Sequence, residues 1–205
     1  MKILVTSILS VLLFIVMFGI GFPVLLTGIG LAFPHQAGGS LVTDAKGKVV
    51  GSELIAQGFS KPEYFHPRPS AAGNGYDPTN SGGTNLGPTS DKLINGVHKK
   101  LPDGKDDPNN FDGIIDLAKA YRTENGLAPD APVPADAVTR SASGLDPHIS
   151  LENADIQAKR VAGARKLSVD KVKELIKANT DAPFLGVYGE SSVNVLNLNL
   201  ALDKG

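Results

Sequence analysis

The chain has 205 residues, with 20 Lys and Arg against 21 Asp and Glu, so its net charge is close to zero. This balance gives no reason to expect a nucleic-acid partner, because proteins that bind a phosphate backbone carry a clear excess of positive charge. The sequence contains no cysteine, which excludes disulfides, thiolate zinc sites, a cysteine nucleophile and a lipidated amino-terminal cysteine.

The amino-terminal segment is uncharged over a long stretch. After Lys2 the next charged side chain is Asp44, and residues 3–31 are almost all apolar. A membrane-spanning helix needs about 20 such residues, whereas the apolar core of a cleaved signal peptide has about 7–15 and follows a more basic region. The length therefore favours an uncleaved transmembrane anchor over residues 1–33, followed by a short flexible linker over residues 34–43.

The orientation of this anchor follows from the charges next to it. Lys2 and the terminal amine precede the helix, and positive charge favours the cytoplasmic side of a membrane. We therefore predict a single-pass protein of the cytoplasmic membrane, with its amino terminus inside and residues 44–205 forming an extracytoplasmic domain. The sequence has no second apolar run of spanning length, so the chain alone is not expected to form a channel or carrier.

The first half of the domain is predicted to combine a hairpin with a long loop. Residues 40–52 contain two β-rich runs around a glycine-containing turn, a pattern typical of a hairpin. Residues 52–59 favour a short helix. Residues 60–88 are rich in Pro, Gly and Asn and show no regular periodicity, which predicts a loop, and loops of this length are usually functional or disordered.

Helical spacing of apolar residues returns after this loop. One helix is predicted from a cap at Thr89 or Ser90 as far as Leu101, and another over residues 110–125. Two further helices are expected after residue 150. Their N-caps are predicted to be Ser150 and Ser168, because a serine hydroxyl accepts a hydrogen bond from an unpaired N–H of the first turn.

The carboxyl-terminal segment alternates leucine and asparagine. This alternation predicts a half-buried strand with one leucine face and with Asn197 and Asn199 on the opposite face. Together these elements predict a mixed α/β (α+β) domain with a small sheet and several helices, preceded by a single amino-terminal transmembrane helix.

The stretch "SGLDPHIS", residues 143–150, places the residue types of a hydrolytic triad close together. Asp146 precedes a proline, which favours extended backbone, and Ser150 suits a helix N-cap. The chain contains no G-x-S-x-G nucleophile elbow. A turn followed by a cap is the favoured interpretation, and a hydrolase that uses His148 and Asp146 stays open because triad members can be distant in sequence.

The sequence offers no recognisable metal or nucleotide motif. Its four histidines are far apart and none belongs to a short ligand pair, and no G-x-x-x-x-G-K-[ST] sequence occurs. Arg68 lies between two prolines, which suits a fixed guanidinium that binds a carboxylate or a partner, although an ordinary surface salt bridge fits equally well. The glycine-rich stretch around Asn85 could present backbone amides to an anion or simply form turns.

Several longer blocks occur in a specific order behind the apolar span. They are "GSELIAQGF", "YFHPRPSA", "SGGTNLGP", "VPADAVTRSASGLDPHIS", "ADIQAKRVAGAR" and "VNVLNLNLALD". In this order they resemble the C subunit (KdpC) of the Kdp potassium-transporting P-type ATPase of bacteria and archaea, over essentially the whole chain. The chain departs from the family pattern at Ala56 and Ala142, where glycine is usual, and at Ser191 and Ser192, where Pro-Arg is usual.

The resemblance implies an accessory, non-catalytic subunit of a high-affinity, ATP-driven potassium import complex. The implied partners are a channel-like potassium-translocating subunit, a P-type ATPase subunit and a small single-span subunit. The resemblance also implies a role in assembly and a catalytic-chaperone role that raises the affinity of the ATPase subunit for ATP. ATP is the only cofactor implied, and because the domain is predicted outside, its influence on ATP binding is expected to be allosteric.

The same resemblance selects candidate residues within four blocks of the domain, residues 51–57, 64–71, 81–88 and 143–150. The residues chosen for partner contact or for fixing loops are Gln57, Arg68, Asn85, Asp146 and His148, and no catalytic residue is predicted. Two alternatives stay open: an anchored outer-face hydrolase that uses His148 and Asp146, and an anchored solute-binding module.

Overall fold

The computed structural model describes residues 1–204, so Gly205, the last residue of the predicted domain, lies outside the described residues. The chain divides after Leu41 into two compact units. The first contains the apolar segment, and the second combines helices with two small sheets. This combination confirms the predicted mixed α/β class and the single amino-terminal apolar helix.

The first unit is dominated by one helical span of 29 residues, Lys2–Gly30, which is long and apolar enough to cross a membrane. It consists of α1 (Lys2–Val16), a π-helical segment (Met17–Gly21) and α2 (Phe22–Gly30). The π segment ends two residues before Pro23, which has no N–H to continue the regular ladder. The apolar side chains of the whole span are exposed on all sides, a pattern that suits hydrocarbon rather than water.

The linker after this span is more ordered than the sequence indicates. A single helical turn, α3 (Pro34–Ala37), begins at a proline, which is favourable at the first position of a helix because its missing N–H would be unpaired there.

The described residues contain five short strands. β1 (Leu41–Thr43) and β2 (Val49–Ser52) form the predicted hairpin. Its turn is closed by Asp44, whose Oδ1 accepts the N–H groups of Lys46 at 2.8 Å and Lys48 at 3.0 Å. This is an Asx turn, the local hydrogen bonding that makes aspartate common in turns.

The other three strands form an antiparallel sheet in the order β3–β5–β4. They are β3 (His148–Ser150), β4 (Thr180–Asp181) and β5 (Ser192–Asn194). In the register of the sheet, Ser192 faces Ser150 on one side and Asp181 on the other. The first residue of the central strand therefore lies between the end of β3 and the end of β4.

Six helices complete the second unit. They are α4 (Asp91–Asn95), α5 (Ile114–Glu124), α6 (Ala135–Val138), α7 (Leu151–Arg165), α8 (Val169–Ala178) and α9 (Val195–Lys204). The predicted caps are confirmed, because Ser150 accepts the N–H of Asn153 and Ser168 accepts that of Lys171, both at 3.1 Å.

The main core lies where α7, α8 and α9 pack with the three-stranded sheet. Its buried side chains include Phe65, Ile149, Val161, Val172, Val193 and Leu198. Phe65 belongs to the irregular loop, yet it is fully buried. A smaller cluster joins α5 and α6 through Tyr121, Ala137 and Val138.

The predicted strand at the carboxyl terminus is wrong beyond Asn194, because the chain continues as α9. Leu196, Asn199 and Leu202 are all buried, and their spacing of three residues places them on one face of a helix. A buried asparagine among the leucines imitates the alternation of a strand. Asn199, predicted to face away from the leucines, is only 1% exposed.

Two other helix predictions are corrected. Residues 52–59 form turns and not a helix, because the N–H of Ala56 is bonded to Leu145 O at 2.9 Å and not within a local ladder. The helix predicted to reach Leu101 ends at Asn95, where Gly96 has φ 78°. The backbone of Val97 then pairs with Phe111, which also delays the start of α5 to Ile114.

The irregular loop is held by two buried side-chain amides, which we call the amide clamp. Asn199 Oδ1 accepts the N–H of Phe65 at 2.8 Å, and its Nδ2 donates to Phe65 O at 3.0 Å. Gln157 Oε1 accepts the N–H of His66 at 2.8 Å, and its Nε2 donates to His66 O at 3.1 Å. Side chains thus satisfy the backbone groups that a neighbouring strand would otherwise pair.

Two arginines of α7 extend this arrangement to the preceding residues. Arg160 Nη1 donates to Pro62 O at 2.8 Å and to Tyr64 O at 2.9 Å. Arg165 Nε donates to Glu63 O at 2.7 Å. Residues 62–66 therefore run alongside α7 and are bonded to its side chains without forming a strand.

The amide clamp predicts a large stability loss for Asn199→Leu, which preserves bulk but removes both bonds to Phe65. Each buried polar group left without a partner costs about 1–3 kcal/mol, so we expect the free energy of unfolding to fall by about 2–4 kcal/mol. Denaturant titration of the full chain in detergent measures this quantity. Asn197→Leu is the matched control, because Asn197 bonds Asn194 through its backbone N–H and not through its side-chain amide. Equal losses in the two variants would contradict the role of the clamp.

Candidate functional site: a charged cleft at β3

A cleft of about 440 Å³ opens beside β3. Six charged or titratable residues line it: Arg68, Asp136, Asp146, His148, Glu152 and Glu190. They come from the loop, α6, the turn before β3, β3 itself, α7 and the segment before β5. Acidic side chains outnumber basic ones among these residues. Three of them, Arg68, Asp146 and His148, were predicted from the sequence, and the fold brings those three together.

Arg68 reaches the cleft because the amide clamp ends two residues before it. Its Nη1 donates to Asp146 Oδ2 at 3.0 Å, and its Nε donates to Thr139 O at 3.3 Å. The side chains of Arg68 and Asp146 are 25% and 30% exposed, so the pair is partly shielded from water. The predicted carboxylate partner of Arg68 is therefore present within the chain itself.

His148 lies between two carboxylates. Its Nδ1 is 3.4 Å from Asp146 Oδ1, and its Nε2 is 3.5 Å from Asp181 Oδ2. Asp146, and more weakly Asp181, raise the pKa of His148, and partial burial opposes them. The His148 ring and its backbone N–H, together with Arg68, lower the pKa of Asp146. The residues form a chain of alternating charge that links the loop, β3 and β4.

The serines of the "SGLDPHIS" stretch have structural partners. Ser150 Oγ donates to Asp136 Oδ1 at 2.9 Å while it caps α7. Ser143 Oγ accepts the N–H of Leu145 at 3.1 Å. Neither hydroxyl is hydrogen-bonded to the His148 ring, so the stretch lacks the serine–histidine contact of a triad. The interpretation as a turn followed by a cap is the one that the geometry supports.

Asp136 is a cleft residue that was not predicted from the sequence. Its Oδ2 accepts the backbone N–H of Ser150 at 2.7 Å and the Nδ2 of Asn153 at 3.0 Å. It therefore stabilises the end of β3 and the start of α7 from α6. Its partners lie 14 and 17 residues away in the chain, so no local motif points to this role.

Next to the cleft, three loop segments contact one another: residues 68–76, Gly82 and Gly144. Ser70 Oγ donates to Gly144 O at 2.6 Å and accepts the N–H of Tyr76 at 2.9 Å. The hydroxyl of Tyr76 donates to Arg68 O at 2.8 Å, and burial raises the pKa of Tyr76 to about 12. Gly144 has φ 68°, and a Cβ there would lie 2.6 Å from Gly82 O, so the loops meet backbone against backbone.

The other two predicted residues lie elsewhere. Gln57 Nε2 donates to Val50 O at 2.8 Å and so fixes the chain after β2. Asn85 is exposed and has φ 52°, a left-handed conformation that asparagine tolerates better than most residues. Contact with a partner stays a prediction for all five residues.

One group of possible metal ligands lies outside the cleft. Ligand atoms of His98, Asp112 and Asp116 all lie within 4.8 Å of one another. His98 Nε2 is 2.9 Å from Asp116 Oδ2, which also accepts the N–H of Gly113 at 2.9 Å. These bonds already occupy Asp116 in capping α5. Histidine spacing alone did not indicate this group.

The fold and the cleft together define a class of protein. One apolar span precedes a domain in which Arg68, Asp136, Asp146 and His148 of the cleft bind other segments of the same chain, an arrangement that suits a membrane-associated accessory protein. Comparison with known families gives the particular kind: a model of the family described as "KdpC: K+-transporting ATPase, c chain" matches residues 4–204.

Individual relatives agree with this match. The chain is 48% identical over 202 residues to the potassium-transporting ATPase KdpC subunit of Mycobacterium tuberculosis (strain H37Rv), covering 98% of this chain and 97% of that protein. It is 50% identical over 198 residues to the KdpC subunit of Caulobacter sp. (strain K31), covering 96% of this chain and 91% of that protein. The chain belongs to the KdpC family, and it is a non-catalytic subunit of a potassium-transporting ATPase complex.

The charge chain in the cleft predicts a pH-dependent contribution of His148 to stability. Because the folded state raises the pKa of His148, its contribution is fully present below the unfolded value near 6.5 and is lost as pH rises through the folded pKa. We expect the stability difference between wild type and His148→Gln to shrink from pH 6 towards pH 9. Urea titrations of both chains across this range measure it, and a difference that grows with pH would contradict the assignment.

Proposed function

We propose that the chain is an accessory subunit of a high-affinity, ATP-driven potassium import complex, with its folded domain on the extracytoplasmic side. The observation that carries this proposal is the single span Lys2–Gly30, apolar on every face, with one lysine at its amino-terminal end. Positive charge at the amino terminus favours the cytoplasmic side. The next charged residue is Asp44, so the whole domain follows the span on the opposite side.

The span is proposed to pack against the channel-like potassium-translocating subunit, with the domain over the outer mouth of that subunit. Gly19 and Gly21 lie in the π segment. At Gly28 a side-chain Cβ would have no other atom within 4 Å, so the space beside this glycine is open. Small residues let another helix approach closely in a membrane. The P-type ATPase subunit and the small single-span subunit are the other proposed partners.

The effect on ATP is proposed to be allosteric. The chain lacks a P-loop, and a domain outside the membrane does not meet the cytoplasmic pool of ATP. A subunit in that position can raise ATP affinity only by binding one state of the pump more tightly than another, and such couplings typically amount to about 5–150-fold in affinity. In this proposal Arg68, Asp146 and His148 keep the loops that contact the other subunits in one conformation. The catalytic-chaperone role then consists of this state-dependent binding by the folded domain.

The absence of cysteine allows a direct test of this topology. Asp130→Cys places a single thiol in an exposed loop of the domain, and Lys2→Cys places one at the amino terminus. We expect a membrane-impermeant maleimide to label position 130 in intact spheroplasts, and to label position 2 only after permeabilisation. Mass spectrometry of the purified chain measures the labelled fraction.

The opposite pattern would overturn the proposal. A thiol at position 130 that reacts only after permeabilisation would place the domain beside cytoplasmic ATP, and direct nucleotide contact would replace the allosteric account.

A further inference from the structure

The loop between β4 and β5 presents a concentrated apolar surface. Phe184, Leu185, Val187 and Tyr188 are 71%, 76%, 78% and 68% exposed, more than any other large apolar side chain of residues 42–204. We call residues 184–188 the apolar tip. Isolated exposed apolar residues are normal, but several adjacent ones on a folded domain mark an interaction site.

The apolar tip is an ordered turn. At its base, Asp181 pairs with Ser192 in the sheet. At its end, the N–H of Phe184 donates to Tyr188 O at 2.9 Å and the N–H of Tyr188 donates to Phe184 O at 3.0 Å. The side chains therefore point outward from a fixed backbone, which lowers the entropy lost when a partner binds.

Leu185 is an unusual residue for its place in this turn. It has φ 53°, a left-handed conformation in which the Cβ of an ordinary residue crowds the following carbonyl oxygen. Glycine or asparagine would fit the backbone better. The leucine side chain is exposed and gains no burial in return, and local strain without a structural benefit is characteristic of binding sites.

The charges around the apolar tip favour a protein partner over a lipid surface. The acidic residues Asp181 and Glu190 flank it, both are exposed, and no basic residue occurs between Lys177 and Lys204. Glu190 also lines the charged cleft at β3. An anionic lipid surface would repel such a rim, since membrane-binding loops pair apolar residues with Lys or Arg. A protein surface with basic residues around an apolar pocket is complementary to it.

We propose that the apolar tip inserts into an apolar pocket, rimmed by Lys or Arg, on another subunit of the same potassium-transporting complex. Phe184 and Tyr188 are the anchors, because aromatic residues supply a large share of the binding energy at interfaces. Glu190 pairs with the basic rim. The proposal rests on the proposed function, since it needs the assembled complex, and it adds the contact surface and the chemistry of its partner.

Photo-crosslinking in cells tests the proposal directly. A photoreactive phenylalanine analogue replaces Phe184 or, as the matched control, Ile115, which is 55% exposed on α5. We expect position 184 to form an adduct with another subunit of the complex, identified by mass spectrometry, and position 115 to form little. The adduct should disappear in cells that produce this chain alone. Lipid adducts, no adduct, or equal protein adducts at both positions would overturn the proposal.

Substitutions measure the strength of the same contact. Phe184→Ser combined with Tyr188→Ser should weaken association with the complex in detergent by about 30-fold or more, as expected for interface anchors, whereas Ile115→Ser should not. Glu190→Lys should weaken it more than Asp130→Lys, which makes the same charge change elsewhere on the surface. The unfolding midpoint of each variant should match wild type, because these side chains are exposed.

The outcomes separate this proposal from the proposed function. If the wild-type chain itself fails to purify with the other subunits, the proposed function is wrong. If wild type and all variants associate equally well, the proposed function stands and the docking role of the apolar tip is wrong.

Discussion

The domain depends on the hydrogen bonds that Asn199 and Gln157 make to the backbone of Phe65 and His66. Phe65 is fully buried in the main core, although it belongs to a loop with no neighbouring strand. Backbone N–H and C=O groups in such a place must find partners, because leaving them unpaired costs as much as the burial of the side chain gains. Two amides, from α7 and α9, provide those partners and so join an irregular segment to the helices.

The position of the cleft follows from this anchoring. Arg68 comes two residues after the clamped His66, and it meets Asp146 where β3 begins. His148 then connects Asp146 to Asp181 at the end of β4. The charged residues of the cleft therefore hold three segments of the chain in register, and the same sheet supports the apolar tip between β4 and β5. A domain built in this way is suited to present surfaces to other subunits.

The parts of the fold that depend on neighbouring residues could be predicted from the sequence. The apolar span, the β1–β2 hairpin and the caps Ser150 and Ser168 have local causes, and the structure contains each of them. The strand predicted at the carboxyl terminus is wrong because Asn199 is buried by a partner 134 residues away. The same limit explains why Asp136 and Gln157 were missed. Asp146 and His148 were selected from one stretch and Arg68 separately, and only the fold brings the three into one cleft.

Hydrogen exchange of the Phe65 and His66 amides in the native full chain tests the central claim most directly. If the amide clamp organises the loop, both amides should exchange as slowly as core amides of α7 such as that of Val161, because both are released only by global unfolding. Exchange at the rate of an exposed loop amide would contradict the account, because the clamp would then open independently of the core.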